Sequence, residues 1–142
     1  MTTLGSQSRL EEGHYVHHFS VNPKNIEDDV KRVNADGLTN NDISKLKEGL
    51  RKGASYYDSA AKAGTENELL CWIQLKEKSK IVMPSFIEFV DIDENGQIDL
   101  SKVQDYLRQD YIAGEIEKIE IYFNEAVTEV KNLPDNAVVE TI

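Results

Sequence analysis

The chain has 142 residues, 39% of them hydrophobic, and sets 16 basic against 26 acidic side chains for a formal net charge of −10. That length suits one domain with its own core, and no apolar run approaches the roughly 20 residues that span a bilayer. Met1 leads into a polar segment without the charged-then-apolar pattern of a secretory signal, and the single cysteine, Cys71, fits a reducing cytoplasm and excludes an internal disulfide.

Residues 1–13 are polar, with Gly5 and Gly13, and are expected to form an extended arm. Residues 14–124 are expected to form one α+β domain, and 125–142 a tail that can add an edge strand through Val138 and Val139. From His14 to Val21 the pattern alternates, with Tyr15, His17, Phe19 and Val21 on one face, which predicts a strand ended by Asn22-Pro23. Thr39 stands three residues before Asp42, a capping box that opens a helix. Ile43, Leu46, Leu50 and Ala54 repeat at helical spacing as its buried stripe, leaving Lys45, Lys47, Arg51 and Lys52 on the solvent side. Residues 55–67 are small and polar and read as a loop.

Leu69, Cys71 and Ile73 alternate with Leu70, Trp72 and Gln74, predicting a strand buried on both sides in its first half. Another strand is expected over residues 86–92, and Glu94-Asn95-Gly96 turns the chain into a short returning arm at residues 97–100. Ser101 with Gln104 forms a second capping box. Val103, Leu107 and Tyr111 supply the stripe of a helix that ends before Gly114. Ile119, Ile121 and Phe123 mark a last strand from about residue 118. In order this is β-α-β-β-α-β, the ferredoxin or RNA-recognition-like α+β sandwich with helices on one face of an antiparallel sheet.

Charge is uneven along this pattern. Residues 1–87 balance 12 acidic with 12 basic side chains, and residues 88–142 hold 14 acidic and 4 basic. A surface so acidic repels phosphate backbones across a Debye length of about 8 Å at physiological salt, which disfavours autonomous, non-specific nucleic-acid binding.

Asp91, Asp93, Asn95, Gly96 and Asp99 match the first nine positions of a calcium-binding loop. The twelfth position is Lys102 where a bidentate glutamate is needed, so a hairpin turn is the stronger expectation. His14, His17 and His18 do not share one ion on a strand, where His14 and His18 stand about 13 Å apart, and no metal or other cofactor is expected. Cys71 alternates with core positions, and with no base placed beside it no catalysis is expected. Tyr15, Phe19, Phe86 and Phe89 suggest a stacking platform, but the basic-glycine-aromatic signature of RNA-recognition modules is missing and most are expected in the core.

Several stretches taken together resemble the backbone subunit of type I CRISPR Cascade complexes, the seventh Cas family, especially Csh-type members of subtype I-B. Thr3-Leu4-Gly5-Ser6 with Arg9 and Gly13 resembles the segment that re-enters the palm from the RNA-contacting thumb. Residues 15–25 resemble the next strand with its V-N-P ending, and Gly37-Leu38-Thr39 with Asp42, Leu46 and Leu50 resembles the helix that follows. Ser59 and Gly64 match a small-residue loop, and residues 68–73 the strand after it. The resemblance spans about residues 3–92.

It implies an RNA-recognition-like palm corresponding to the C-terminal half of the family's subunit, which polymerises along CRISPR RNA among other Cascade subunits. Asp58, Ala60 and Ala61 stand where relatives tend to carry basic residues, leaving Lys62 alone to meet phosphate. The resemblance implies RNA or partner contacts at Arg9, His14, His17, Lys24, Asn25, Ser59, Lys62 and Gly64. The leading expectation is a truncated mimic that docks into the effector complex and leaves it defective, an anti-CRISPR protein. The alternatives are a genuine backbone piece that binds CRISPR RNA in antiviral defence, and a calcium-responsive binding module. A sheet without its neighbours exposes an edge strand, so a homodimer is a further expectation.

Overall fold

The computed structural model describes residues 13–56 and 65–142. An extended run enters a 3-10 turn, Pro23–Ile26, followed by helix α1, Glu27–Arg32, and helix α2, Asn40–Tyr56. Strand β1, Leu69–Leu75, leads through a second 3-10 turn, Ile87–Phe89, into a short hairpin of β2, Asp91–Ile92, and β3, Ile98–Asp99. Helices α3, Ser101–Leu107, and α4, Asp110–Ala113, precede strands β4, Ile116–Phe123, β5, Val130–Lys131, and β6, Val138–Glu140.

The strands form two three-stranded sheets. In the larger, β4 lies between antiparallel β1 and parallel β6, and in the smaller, β3 lies between antiparallel β2 and parallel β5. The period-two alternation of β1 and β4 gives the larger sheet one apolar face and one mixed face. On one, Ile119, Ile121 and Phe123 meet Leu69, Cys71 and Ile73 and pack with Ile98, Leu100, Val103, Leu107 and Ile112 into the main core. On the other, buried Leu70 and Trp72 stand beside Tyr122, Glu120 and Lys118.

The α+β class holds, with strands and helices arranged differently from the simple sandwich. Helices cover both faces of the larger sheet: α3 and α4 on the core side, α2 on the side of Trp72. Residues 14–21 are not a strand. Alternation gives a segment two faces but no ladder partner, and this one is tied down through its side chains instead. His14 meets Glu68, the His18 ring meets the edge of Phe86, and Phe19 leans on Trp72 at 5.9 Å.

Residues 86–92 also depart from a continuous strand, because the 3-10 turn occupies their middle and only Asp91–Ile92 pairs. Three residues per turn set Phe86 and Phe89 on one side, where the rings stack at 5.5 Å and both meet Tyr106. The 93–97 turn forms as expected, with Gly96 at φ +75° and the Asp93 carboxylate accepting the N–H groups of Asn95 and Gln97.

The helix expected up to Gly114 is broken at Gln109, whose backbone is extended. That break turns Ile112 into the core and Tyr111 into solvent. Ser101 and Gln104 do not form a box. The carboxylate of Asp99 takes the Ser101 N–H, and Gln104 reaches the Leu133 carbonyl at 3.1 Å. Beside it, Arg108 grips Asp135 with two nitrogens, at 2.6 and 3.1 Å, which fastens the loop that delivers β6.

Candidate functional site

Helix α2 begins as its sequence dictates: Thr39 Oγ1 accepts the Asp42 N–H at 3.1 Å, and Asp42 returns the bond to the Thr39 N–H at 3.0 Å. Its sheet-facing side keeps most of the expected apolar stripe but takes in cations in place of Leu46. Ile43, Lys47, Leu50, Arg51 and Ala54 are half-buried, whereas Leu46 is exposed. The cations turn inward because the sheet beneath offers rings and a carboxylate. Lys47 Nζ lies 4.7 Å from the centre of the Trp72 ring and 2.9 Å from Glu120. Arg51 lies 4.7 Å above Tyr122 and donates to the Thr141 carbonyl at 3.1 Å. Two of the four cations expected on the solvent face of this helix are therefore spent inside the fold.

Glu120 is the centre of this face. It accepts from Lys47, from Lys118 at 2.7 Å and from the Tyr122 hydroxyl. Burial alone raises its carboxyl pKa, but the hydrogen bonds from Lys118, Tyr122 and Lys47, with the charge of Lys47, outweigh that and hold it at about 2. Tyr122 responds in the opposite sense: burial, and then its bond to Glu120, push its hydroxyl to about 12. Farther along, Asn67 spans the Leu50 carbonyl and the Ala54 N–H of α2, a pair one helical turn apart, and so clamps the helix to the start of β1.

The residues before α2 contrast with this packed face. Among the described residues from 13 to 54 no side chain is fully buried, and Tyr15, Ile26, Val33 and Leu38 expose large apolar surfaces. Here lie the four expected contact residues that the structure describes. His14 turns inward, its Nδ1 2.7 Å from Glu68 and its ring against Gly96. His17 is exposed. Lys24 and Asn25 stand exposed on the first 3-10 turn, where Asn22 caps the Lys24 N–H and bonds Asn25. The fold thus half-buries His14 and leaves the other three facing solvent. Arg9, Ser59, Lys62 and Gly64 lie outside the described residues, as do the arm at 1–12 and most of the loop at 57–64.

Of the proposed aromatic platform, Phe86 and Phe89 pack against the core and Phe19 on Trp72, while Tyr15 projects into solvent. The acidic hairpin has its own internal uses for its carboxylates. Asp91 pairs with Lys102, Asp93 closes the turn, and Asp99 binds Asn132 and Ser101. Among the described residues no group of three or more His, Cys, Asp or Glu side chains converges on a point that could hold a metal ion. Burial pushes the Cys71 thiol up to about 12, which keeps it protonated and inert. The cation-over-ring contacts of Lys47 and Arg51 were beyond sequence reasoning, since only the register of β1 on β4 brings Trp72, Glu120 and Tyr122 to one face.

Geometry therefore defines an α+β fold in which a packed sheet carries an exposed, half-apolar limb. The model of the family described as CRISPR-associated protein Cas7 matches residues 1–111, and the chain belongs to that family. No curated protein and no solved structure matches it significantly. The matched stretch contains the limb, α2, β1 and α3 and ends before β4. Membership implies a CRISPR complex of other subunits and CRISPR RNA as the setting in which the protein works.

Proposed function

We propose that the protein acts as a backbone-like, non-catalytic subunit of a type I CRISPR effector complex, meeting its neighbours through the limb of residues 13–38 and CRISPR RNA through the assembled complex. The observation that carries this reading is the exposed apolar surface of Tyr15, Ile26, Val33 and Leu38 within the stretch that the family model matches. Surface of this kind, interrupted by Lys24 and Asn25, suits burial against another protein. The test is reconstitution with type I effector subunits and CRISPR RNA. The chain is expected to co-purify, and Ile26→Asp with Val33→Asp to abolish incorporation while leaving the circular dichroism spectrum unchanged. Failure to co-purify with any subunit overturns the proposal.

A second reading, that the docked protein leaves the complex defective, is favoured by one observation. Of the four basic residues after position 87, Lys102, Arg108 and Lys118 are each paired with a carboxylate, so the acidic excess of that region is left with little compensation. Set opposite a basic groove, it competes with nucleic acid for it. Assembly with target cleavage intact supports the backbone role, and assembly with cleavage lost supports the inhibitory one.

A further inference from the structure

We propose that residues 14–19 are a strap that closes the outer edge of β1 by side-chain grip alone, and that this strap keeps the edge from pairing with a strand of another molecule. β1 ends its sheet, with β4 on one side and no strand on the other among the described residues. Lys76 donates its N–H to the Glu115 carbonyl, on the β4 side. N–H groups alternate sides along a strand, so Leu69, Cys71, Ile73 and Leu75 present theirs outward, where no backbone hydrogen bond from a described residue meets them. Proteins usually blunt such an edge with a charge, a proline or a bulge. The sequence LLCWIQL carries no charge and no proline, and its one register irregularity lies at the far end, between Gln74 and Leu75.

The strap supplies what β1 itself lacks. His14 meets Glu68, the residue before the strand, at 2.7 Å, and its ring rests against Gly96. The rings of His18 and Phe86 meet edge to face, 6.4 Å apart, on the side of the main core. Phe19, the next residue, lies 5.9 Å from Trp72 on the opposite side of the sheet. Consecutive side chains that grip the two faces of one sheet set the backbone between them along its edge. The five steps from His14 to Phe19 cover about 17 Å of extended chain and the four from Glu68 to Trp72 about 13 Å, so the strap runs beside β1 in the same direction. Its hold is one polar pair and two ring contacts, with no ladder bond among the described residues. Such a strap shields the edge and is released when a ring contact is lost.

The experiment uses Phe19→Ala in the full-length chain, with limited chymotrypsin digestion and sedimentation as readouts. Cleavage after Tyr15 requires the strap to leave the edge, and its rate is expected to rise about two- to tenfold, the worth of one aromatic pair. Cleavage after Tyr111, an exposed tyrosine in α4, is expected to keep its wild-type rate. The freed edge is expected to add concentration-dependent association beyond that of the wild-type chain. Gln74→Lys, at the one exposed position of β1, is expected to abolish the added association. His18→Ala loosens the strap from the side of Phe86 and is expected to act in the same direction, so the test stands on two variants. An unchanged rate after Tyr15, an equal acceleration of both cuts, no added association, or association that survives Gln74→Lys overturns the proposal. No effector subunit or CRISPR RNA enters the experiment, so its outcome is independent of the limb's role in incorporation.

Discussion

Residues 13–54 and residues 69–140 belong to one chain and are held by different physics. The later region owns the buried side chains, from Leu70 to Pro134, and closes them in two sheets. The earlier one contributes a helix whose grip on the sheet is made by cations lying over rings and by polar clamps, and a limb with no fully buried side chain. Apolar burial yields stability in proportion to area and excludes water, whereas a helix seated on Lys47 and Arg51 depends on charge and so on pH and salt. The lesson is that the part of the molecule most open to partners is also the part that folding alone leaves least committed.

Substitutions in the two regions separate these contributions. The largest effect is expected for Ile121→Ala, since Ile121 is fully buried at the centre of the main core. It should cost about 2–5 kcal/mol in denaturant unfolding. The next sharpens the electrostatic half. The Glu120 carboxyl is held at about 2 against an ordinary 4.5, so the stability it contributes is fully present above pH 4.5 and is lost as pH falls toward 2. After allowance for solvent screening this is about 1–2 kcal/mol, and Glu120→Gln should flatten the acid limb of a stability-against-pH curve by that amount.

Thr39→Ala removes the reciprocal cap of α2 and should cost about 1 kcal/mol, visible as faster amide exchange in that helix. Val33→Ala, in the limb, should change unfolding stability by less than about 0.5 kcal/mol. A cost there equal to that of Ile121→Ala would break the contrast.

The sequence made the strands around Trp72 and Ile121 and the start of α2 legible, because alternation and a Thr-x-x-Asp box are local signals that the fold has no reason to override. It misled over residues 14–21, where the same alternation serves three side-chain anchors and no ladder. The buried face of α2 was hidden for a related reason. Helical spacing assigned Leu46 to the sheet and Lys47 to solvent, and what drew Lys47 inward was Trp72 and Glu120 on distant strands. The family's motifs could be read along residues 3–92, but the position of His14 against Glu68 could not, since nothing near either residue announces the other. The hold of Asp99 on the first N–H of α3 likewise goes with its bond to Asn132, which is remote in sequence.

The pairing of β1 with β4 has a kinetic consequence. Residues 76–115, with a hairpin and two helices among them, lie between these strands, and β3 with β5 and β4 with β6 are joined by parallel crossovers. Contacts this far apart must close long loops before they return any free energy, so folding is expected to be slow and to complete in a single late event. Until that event the uncharged stretch LLCWIQL is unshielded on both sides, and the nascent chain depends on prompt closure, or on a chaperone, to escape aggregation.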